Sequence, residues 1–229
     1  LVNGGYTLTP SKSGSTFTPA SKSVTVNGAN LTSVNFAGTQ SPSSGIITMD
    51  SQVRQDQAAA SSTVTSPKFS TTANQELLLA FIAADYRLSS KTSVRSVSGA
   101  GLTWALVART AQQSGTAEIW RAFAATPLSG VSVSATLSQR TTSSMTVMSF
   151  AGVNPAGSNG SGTIGAIGHG SGSAGAASAS LVTTQNNSLV VGVGVDPKAA
   201  ASRTLGIEQT LVHQYLDLAG NTYWVQMMS

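Results

Sequence analysis

The sequence predicts an all-β fold, and three observations indicate it. Only 9% of the 229 residues are charged, whereas a typical soluble domain has about 25%. Apolar and polar residues alternate in short runs such as Val131–Leu137, and glycine, proline and asparagine separate these runs. One apolar face and one polar face per strand is typical of antiparallel sheets that form a sandwich.

Residues 1–38 form the first predicted unit. Tyr6 and Leu8 alternate with threonine, and Pro10 and Gly14 indicate a turn. Asn27-Gly28 predicts a hairpin between residues 24–26 and the apolar positions of 31–36. About 40 residues with so few large apolar side chains cannot enclose a core. The unit therefore either packs on the next domain or has its missing strands upstream, and we favour the second.

Residues 39–46 predict a linker, since Pro42 and Gly45 interrupt pairing and little apolar anchors the segment. From 47 to 229 we predict a jelly-roll-like β-sandwich of roughly ten strands. Leu77–Ala84 is apolar throughout, and its length favours a central strand over a helix. The Gly-rich span 154–180 is either a flexible loop or a flat pair of strands with small side chains. Candidate strands in this unit are 47–53, 60–65, 76–84, 92–98, 102–109, 116–124, 131–137, 144–151, 178–184, 188–195, 209–216 and 221–228.

Two stretches resemble known bacterial modules. NGGYTLTPSKSGSTFTPASKSVTVNGANLTSVNFAG, at 3–38, resembles the C-terminal half of carboxypeptidase-regulatory-like, transthyretin-type repeats, with Ser15 where that pattern has tyrosine. The motifs SGAGLTWALVART, GTAEIWRAFA, VTVMSFAGV, NGSGTIGAIG and LVHQYLDLAGNTYWVQ resemble an uncharacterised extracellular β-sandwich module. The first resemblance implies a partial transthyretin- or Ig-like spacer unit, and the second implies no activity. Together they imply that both ends fall inside domains.

Composition excludes several classes of protein. The chain has no cysteine, which excludes a disulfide scaffold and thiol chemistry. The net charge of +4 reflects a shortage of acids, and the twelve Lys and Arg residues are dispersed, so we expect no nucleic-acid partner. No apolar stretch approaches the ~20 residues of a transmembrane helix. A bacterial extracellular or cell-surface location fits this composition.

Catalytic groups are scarce in the sequence. His169 is expected in an exposed loop and His213 in a strand, and no G-x-S-x-G elbow precedes a helix. The carboxylates are isolated, which does not suggest the facing pair of a glycosidase. We therefore predict no enzyme and no cofactor. Calcium stays a weak alternative because Asp85, Asp196 and Asp217 are expected at strand ends, where oxygen ligands gather.

Aromatic residues give the one positive indication of binding. Trp104 and Trp120 are expected on adjacent strands, and Tyr215, Tyr223 and Trp224 lie near the C-terminus. Exposed rings can stack on sugars through apolar C–H surfaces. The other interpretation is that these rings fill the core, because aromatics are only 6% of the chain.

These observations favour a non-enzymatic structural or adhesive segment of a large bacterial extracellular protein. If both ends lie inside domains, strand edges are left unpaired, and strands donated by neighbouring domains or by copies of the chain can complete them. A fibre or filament subunit is the specific version of this hypothesis. The alternative is a carbohydrate-binding module that recognises polysaccharide through the aromatic rings named above.

Overall fold

The chain forms two compact all-β units in a computed structural model. The model describes residues 2–11, 15–40, 45–86, 91–112, 115–173, 178–197 and 200–228. The units comprise residues 1–44 and 45–229. All pairings between their strands are antiparallel, and the described residues contain no α-helix. The predicted all-β class is confirmed.

The first unit consists of four short strands in two separate pairs. They are β1 (Gly4–Leu8), β2 (Ser15–Thr18), β3 (Lys22–Val26) and β4 (Ala37–Gln40), with β1 paired to β3 and β2 to β4. Half-exposed residues alternate with fully exposed ones along β2 and β3. None of the described residues of this unit is buried. The unit therefore has alternating strands but no enclosed core of its own.

The hairpin predicted at Asn27-Gly28 is wrong. Gly28 does adopt a left-handed turn conformation, with φ of 71°. Its amide, however, donates to Asn3 Oδ1 at 2.7 Å, so the turn is held against the start of β1. Residues 31–36 form no strand, and the next strand, β4, extends two residues into the predicted linker. The predicted turn residue Gly14 and the linker residues 41–44 lie outside the described residues.

The second unit is built around a six-stranded sheet. Its strands are β5 (Thr48–Thr65), β6 (Glu76–Ala84), β7 (Val94–Gly99), β8 (Ala105–Thr110), β9 (Thr116–Ala124) and β10 (Val133–Ala151). The order is β5-β10-β6-β9-β8, and β7 pairs with the first part of β10. Since β10 pairs with three strands, it is the organising strand of this sheet.

Two long strands replace four predicted short ones. The predicted pairs 47–53 with 60–65 and 131–137 with 144–151 are continuous as β5 and β10. The intervening residues, RQDQAA at 54–59 and SQRTTS at 138–143, are mostly polar and therefore resemble loops in the sequence. In the structure these residues continue the strands, and the register of the β5–β10 ladder shifts between Thr136 and Ser143 and again at Ser149–Phe150. Bulges of this kind bend a strand without ending it.

A three-stranded sheet forms the second layer. It contains β11 (Val190–Asp196), β12 (Gln209–Leu216) and β13 (Thr222–Met228), in the order β11-β13-β12. Val225 of the central strand joins Leu77, Leu79 and Phe81 in one apolar cluster. The arrangement of two layers over a shared apolar interior is that of a β-sandwich.

Strand β6 is buried on both faces. Leu77, Leu79 and Phe81 face the three-stranded sheet. Leu78, Ala80, Ile82 and Ala84 face a second cluster on the opposite side, which includes Phe69, Trp104 and Trp120. This explains why the strand is apolar at every position after Glu76, and it confirms the predicted central strand.

The Gly-rich span forms two extended arms. Residues 178–184 are not a strand, which corrects that prediction. They run beside residues 163–172, because Gly165 faces Thr184, Gly168 faces Ser180 and Gly170 faces Ser178. A Cβ on Gly168 would lie 2.7 Å from the Ser180 carbonyl oxygen. The arms approach this closely because they lack side chains there, and the described residues show no backbone hydrogen bond between them. The part at 174–177 lies outside the described residues.

The double burial of β6 makes a testable prediction. Leu78→Ala removes a fully buried side chain and should destabilise the second unit by about 3 kcal/mol, or about 6–12 °C in Tm for a domain of this size. Leu218→Ala makes the same chemical change at a fully exposed position. Thermal unfolding followed by circular dichroism should show no shift for the Leu218 variant. Equal shifts for both variants would contradict the burial of β6.

Candidate functional site

A group of polar side chains lies where the two sheets meet, near the C-terminal end of β6. We call it the inter-sheet polar cluster. Asp56 of β5 and Thr142 and Ser144 of β10 contribute from the large sheet, and His213 and Tyr223 contribute from the small one. Three loop residues complete it: Asp85, Asp217 and Asn221.

The centre of one half of the cluster is Asp56. Ser144, its cross-strand neighbour, donates its hydroxyl to Asp56 Oδ1 at 2.8 Å. His213 Nε2 reaches the same oxygen from the other sheet, also at 2.8 Å. A register shift between Leu211 and His213 makes Val212 an extra residue, and both Val212 and His213 pack against the large sheet. Asp56 therefore ties the two sheets together.

The order of these three groups decides what they can do chemically. In a Ser-His-Asp triad the imidazole lies between the hydroxyl and the carboxylate, and it accepts the proton of the nucleophile. Here Asp56 lies in the middle, and Ser144 and His213 each bond to it. The imidazole does not activate Ser144, whose hydroxyl donates to Asp56 instead. The geometry is that of an inter-sheet contact rather than of an activated nucleophile.

The other half of the cluster is centred on Asp217, which begins the turn between β12 and β13. Its carboxylate accepts from the Asn221 backbone amide at 2.8 Å, from the Asn221 side chain at 2.8 Å and from the Tyr223 hydroxyl at 2.9 Å. Burial alone would raise the pKa of Asp217, but the donors Asn221, Thr142 and Tyr223 outweigh it and lower the pKa. Burial raises the pKa of Tyr223, so the phenol stays protonated and donates.

Only two of the three candidate calcium ligands come together, because Asp85 and Asp217 both accept from Asn221 Nδ2. Asp217 has its oxygens occupied by the donors just described, and Asp85 accepts from Asn221 Nδ2 at 3.2 Å. Asp196 forms an ion pair with Arg203 at 2.6 Å. Within the described ranges, no three acidic, histidine or cysteine side chains are grouped to hold a metal ion. The neutral amide of Asn221 and the guanidinium of Arg203 thus supply the N–H donors to these carboxylates.

A second buried carboxylate joins three strands of the large sheet. Glu118 of β9 is fully buried. It accepts from the Val94 amide at 2.7 Å, from Thr116 Oγ1 at 2.9 Å and from Trp120 Nε1 at 2.9 Å. Arg109 of β8 completes the shell with Nε at 2.8 Å and also donates to the Val94 carbonyl at 2.6 Å. With all these donors, the Glu118 carboxylate holds β7, β8 and β9 together and has a structural role.

The aromatic candidates are mostly inside the protein. Trp104, Trp120 and Trp224 are each 9% exposed, and Tyr223 is fully buried. Trp104 and Trp120 belong to the apolar cluster on one face of β6, while the Arg203 guanidinium covers Trp224 at 5.4 Å from the ring centre. Half-buried Tyr215 stacks on Tyr223 at 5.7 Å. The five rings share no exposed platform on which a sugar could stack.

An apolar cavity of about 180 Å³ lies between the two sheets and the Gly-rich arms. Leu77, Leu79, Ile119 and Phe150 form its floor, and Ile164 closes it from the arms. The remaining lining residues are aliphatic or small, with threonine and serine as the polar ones, and none of them is charged. The cavity therefore offers no acid, base or metal ligand.

The fold and these contacts define an antiparallel β-sandwich protein whose clustered polar groups join strands. No protein-family model matches the chain, and neither does any curated protein or any solved structure. Nothing in the described residues forms a helix long and apolar enough to cross a membrane. The two resemblances stated from the sequence stay predictions.

Sequence reasoning missed Asp56, Ser144 and Arg109, and it treated Glu118 as an isolated carboxylate. Asp56 lies in a mostly polar segment that resembles a loop, and Ser144 begins the predicted strand 144–151, but no pattern indicated that they face the other sheet. Glu118 had a usable signal. It occupies an inward position of the alternating strand 116–124, and a charged residue at such a position requires a partner.

Removal of Arg109 tests the buried ion pair. Arg109→Ala leaves the Glu118 carboxylate buried without its cation and should destabilise the second unit by about 3 kcal/mol. Arg54→Ala removes an exposed arginine from β5 and should change stability by less than about 0.5 kcal/mol. Urea unfolding measures both values. An effect of Arg109→Ala no larger than that of Arg54→Ala would contradict a structural role.

The burial of the tryptophans makes a prediction for sugars. Because each indole has little exposed surface, titration with soluble polysaccharides should leave tryptophan emission unchanged. Acrylamide quenching of the same sample should be weak, which controls for the burial of the rings. A saturable emission change with one polysaccharide would restore the carbohydrate-binding alternative.

Proposed function

We propose that this chain is a non-enzymatic structural or adhesive segment of a larger bacterial extracellular or cell-surface protein, completed by strands from its neighbours. The observation that supports this proposal most directly is the lack of a buried core among the described residues of 1–44. Their four strands form two separate pairs, and no described residue is buried.

The physical reason is the instability of isolated strand pairs. A two-stranded ribbon is marginal in water, and three or more strands with a covered apolar face are needed for independent stability. Tyr6, Phe17, Val24 and Val26 are all only half-buried. A further layer of strands over these side chains would provide the missing cover.

Strand donation supplies such a layer. Each described strand of the first unit pairs with one partner only, so each keeps one open edge. An added strand gives main-chain hydrogen bonds to an open edge and places alternate side chains against the apolar face. A neighbouring domain or a second copy of the chain can provide it. Repetition of this contact would produce a fibre or filament.

The polar groups of the second unit support a role without catalysis. Asp56, His213, Glu118 and Asp217 all form contacts between or within strands and turns. The apolar cavity has no ionisable lining residue. A module that holds its polar groups inward and presents few charges suits a spacer or an adhesive surface.

An extracellular location is part of the proposal. The support is compositional: no cysteine, a charged fraction of 9% and abundant serine, threonine and glycine. Detection of the parent protein in the culture medium or on intact cells tests this part directly. Recovery only from the cytoplasm would contradict it.

Hydrogen exchange of the full chain tests strand completion. In dilute solution the amides of residues 4–8 and 22–26 should exchange quickly, whereas those of β6 should be protected. Raising the protein concentration should protect the first set as assemblies form, with light scattering reporting their mass.

Matched variants sharpen the test. Val24→Asp places a charge on the half-buried face of β3, and Thr25→Asp places one on the exposed face. The Val24 variant should lose concentration-dependent protection, and the Thr25 variant should keep it. A monomer at every concentration, with residues 4–26 protected as strongly as β6, would contradict the proposal.

A further inference from the structure

One buried acidic side chain has no role in the contacts described above. Glu76 begins β6, is fully buried, and neither of its carboxyl oxygens has a hydrogen bond of good geometry. Leaving an ionised carboxylate buried and unpaired is among the most costly arrangements in a protein. Glu76 therefore needs a proton, a cation or a partner.

Asp50 lies within hydrogen-bonding reach of Glu76, and a β-bulge in β5 positions it. In the β5–β10 ladder Met49 pairs with Phe150 and Ser51 pairs with Ser149, so Asp50 is the extra residue on its strand. Its Oδ2 accepts from the Thr72 amide at 2.6 Å, and its Oδ1 accepts from the Thr72 hydroxyl. These donors stabilise Asp50 as an anion directly beside Glu76.

The neighbouring hydroxyls argue against a cation. Thr71 Oγ1 already accepts from the Leu128 amide at 3.0 Å, and Ser149 Oγ accepts from the Ser51 amide at 3.1 Å. Each hydroxyl can still donate its proton but has a lone pair engaged. Calcium requires six to eight oxygen ligands. This pocket offers only the carboxyl groups of Glu76 and Asp50, and both oxygens of Asp50 already accept hydrogen bonds from Thr72. A proton needs no such shell.

We propose that Glu76 and Asp50 share one proton in the folded protein, and that loss of this proton as the pH rises loosens the end of the sandwich formed by the starts of β5 and β6. In the protonated state the Glu76 carboxyl donates to the Asp50 carboxylate, which links β6 to the bulge of β5. In the deprotonated state the fully buried Glu76 carboxylate faces the half-buried Asp50 carboxylate, and the two negative charges repel each other. The pair is an acid-stabilised latch built into the fold.

The electrostatics agree with this geometry. Burial raises the pKa of Glu76 above its ordinary value of 4.5, the hydroxyls of Thr71 and Ser149 lower it, and the Asp50 charge raises it further. The hydrogen bonds from Thr72 lower the pKa of Asp50. Around Glu76, β5 contributes Asp50, while β10 and the loop before β6 contribute the neutral Ser149 and Thr71.

The direction of the pH dependence follows from linkage. The folded state holds the Glu76 proton more tightly than the unfolded state, so unfolding releases a proton once the pH exceeds about 4.5. The contribution of this group to stability is complete below that value and falls as the pH rises through the folded-state pKa. Asp50 acts in the opposite sense, and its contribution is lost only in stronger acid.

Thermal unfolding of the full chain between about pH 5 and pH 8 tests the latch. The Tm of the wild type should fall across this range relative to that of Glu76→Gln, which keeps the shape without the ionisation. Each tenfold difference in proton affinity corresponds to about 3–5 °C in Tm. The matched control Glu208→Gln, at an exposed glutamate, should follow the wild type at every pH.

Two results would overturn the proposal. One is a constant Tm difference between wild type and Glu76→Gln at all pH values. The other is a rise in the wild-type Tm at about pH 8 on addition of calcium chloride, absent in Glu76→Gln, which would identify a cation site instead. If Glu76→Gln does not fold, carboxyl-carbon NMR of the wild type decides. A buried glutamate that titrates above the exposed carboxyls supports the latch, and its absence refutes it.

Discussion

The burial of β6 on both faces is the constraint on which the second unit depends. A strand with apolar side chains on both sides requires a layer above it and a layer below it. The three-stranded sheet covers one face, and the apolar cluster that includes Phe69 and Trp104 covers the other. The polar contacts between the sheets that were described above, such as Asp56 with His213 and Thr142 with Tyr223, lie near the C-terminal end of this strand. Glu76 is buried at its other end.

The chain has only eight acidic residues, and three of them, Glu76, Glu118 and Asp217, are buried. Few carboxylates are present, and several of them are used inside the protein rather than on its surface. Glu118 and Asp217 are each surrounded by donors that belong to different strands or to a turn. Buried polar groups with all their hydrogen bonds formed favour a single strand register, because a shift of register would leave these groups buried without partners. The same logic makes Glu76, which lacks such donors, exceptional.

The sequence predicted strands well where alternation or a continuous apolar run dominated. The bounds 76–84, 116–124 and 209–216 agree with the structure residue for residue. It failed where small polar residues carry a strand through a bulge, as between Thr136 and Ser143. It also could not place Asp56 beside His213, because a contact across 157 positions depends on how the sheets stack. Glu118 was recognisable from its inward position in the strand 116–124, but its partner Arg109 was not.

The central position of β10 has a consequence for synthesis on the ribosome. Among the described strands, β5 pairs only with β10, and Thr48 meets Ala151. The nascent chain must therefore carry β5 with its edges unmatched while β6 to β9 are translated. Contacts so distant along the chain are slow to form. Until β10 is synthesised, β5 can pair incorrectly with strands of other chains. Because β5 has few large apolar side chains, its tendency to aggregate during this time is low.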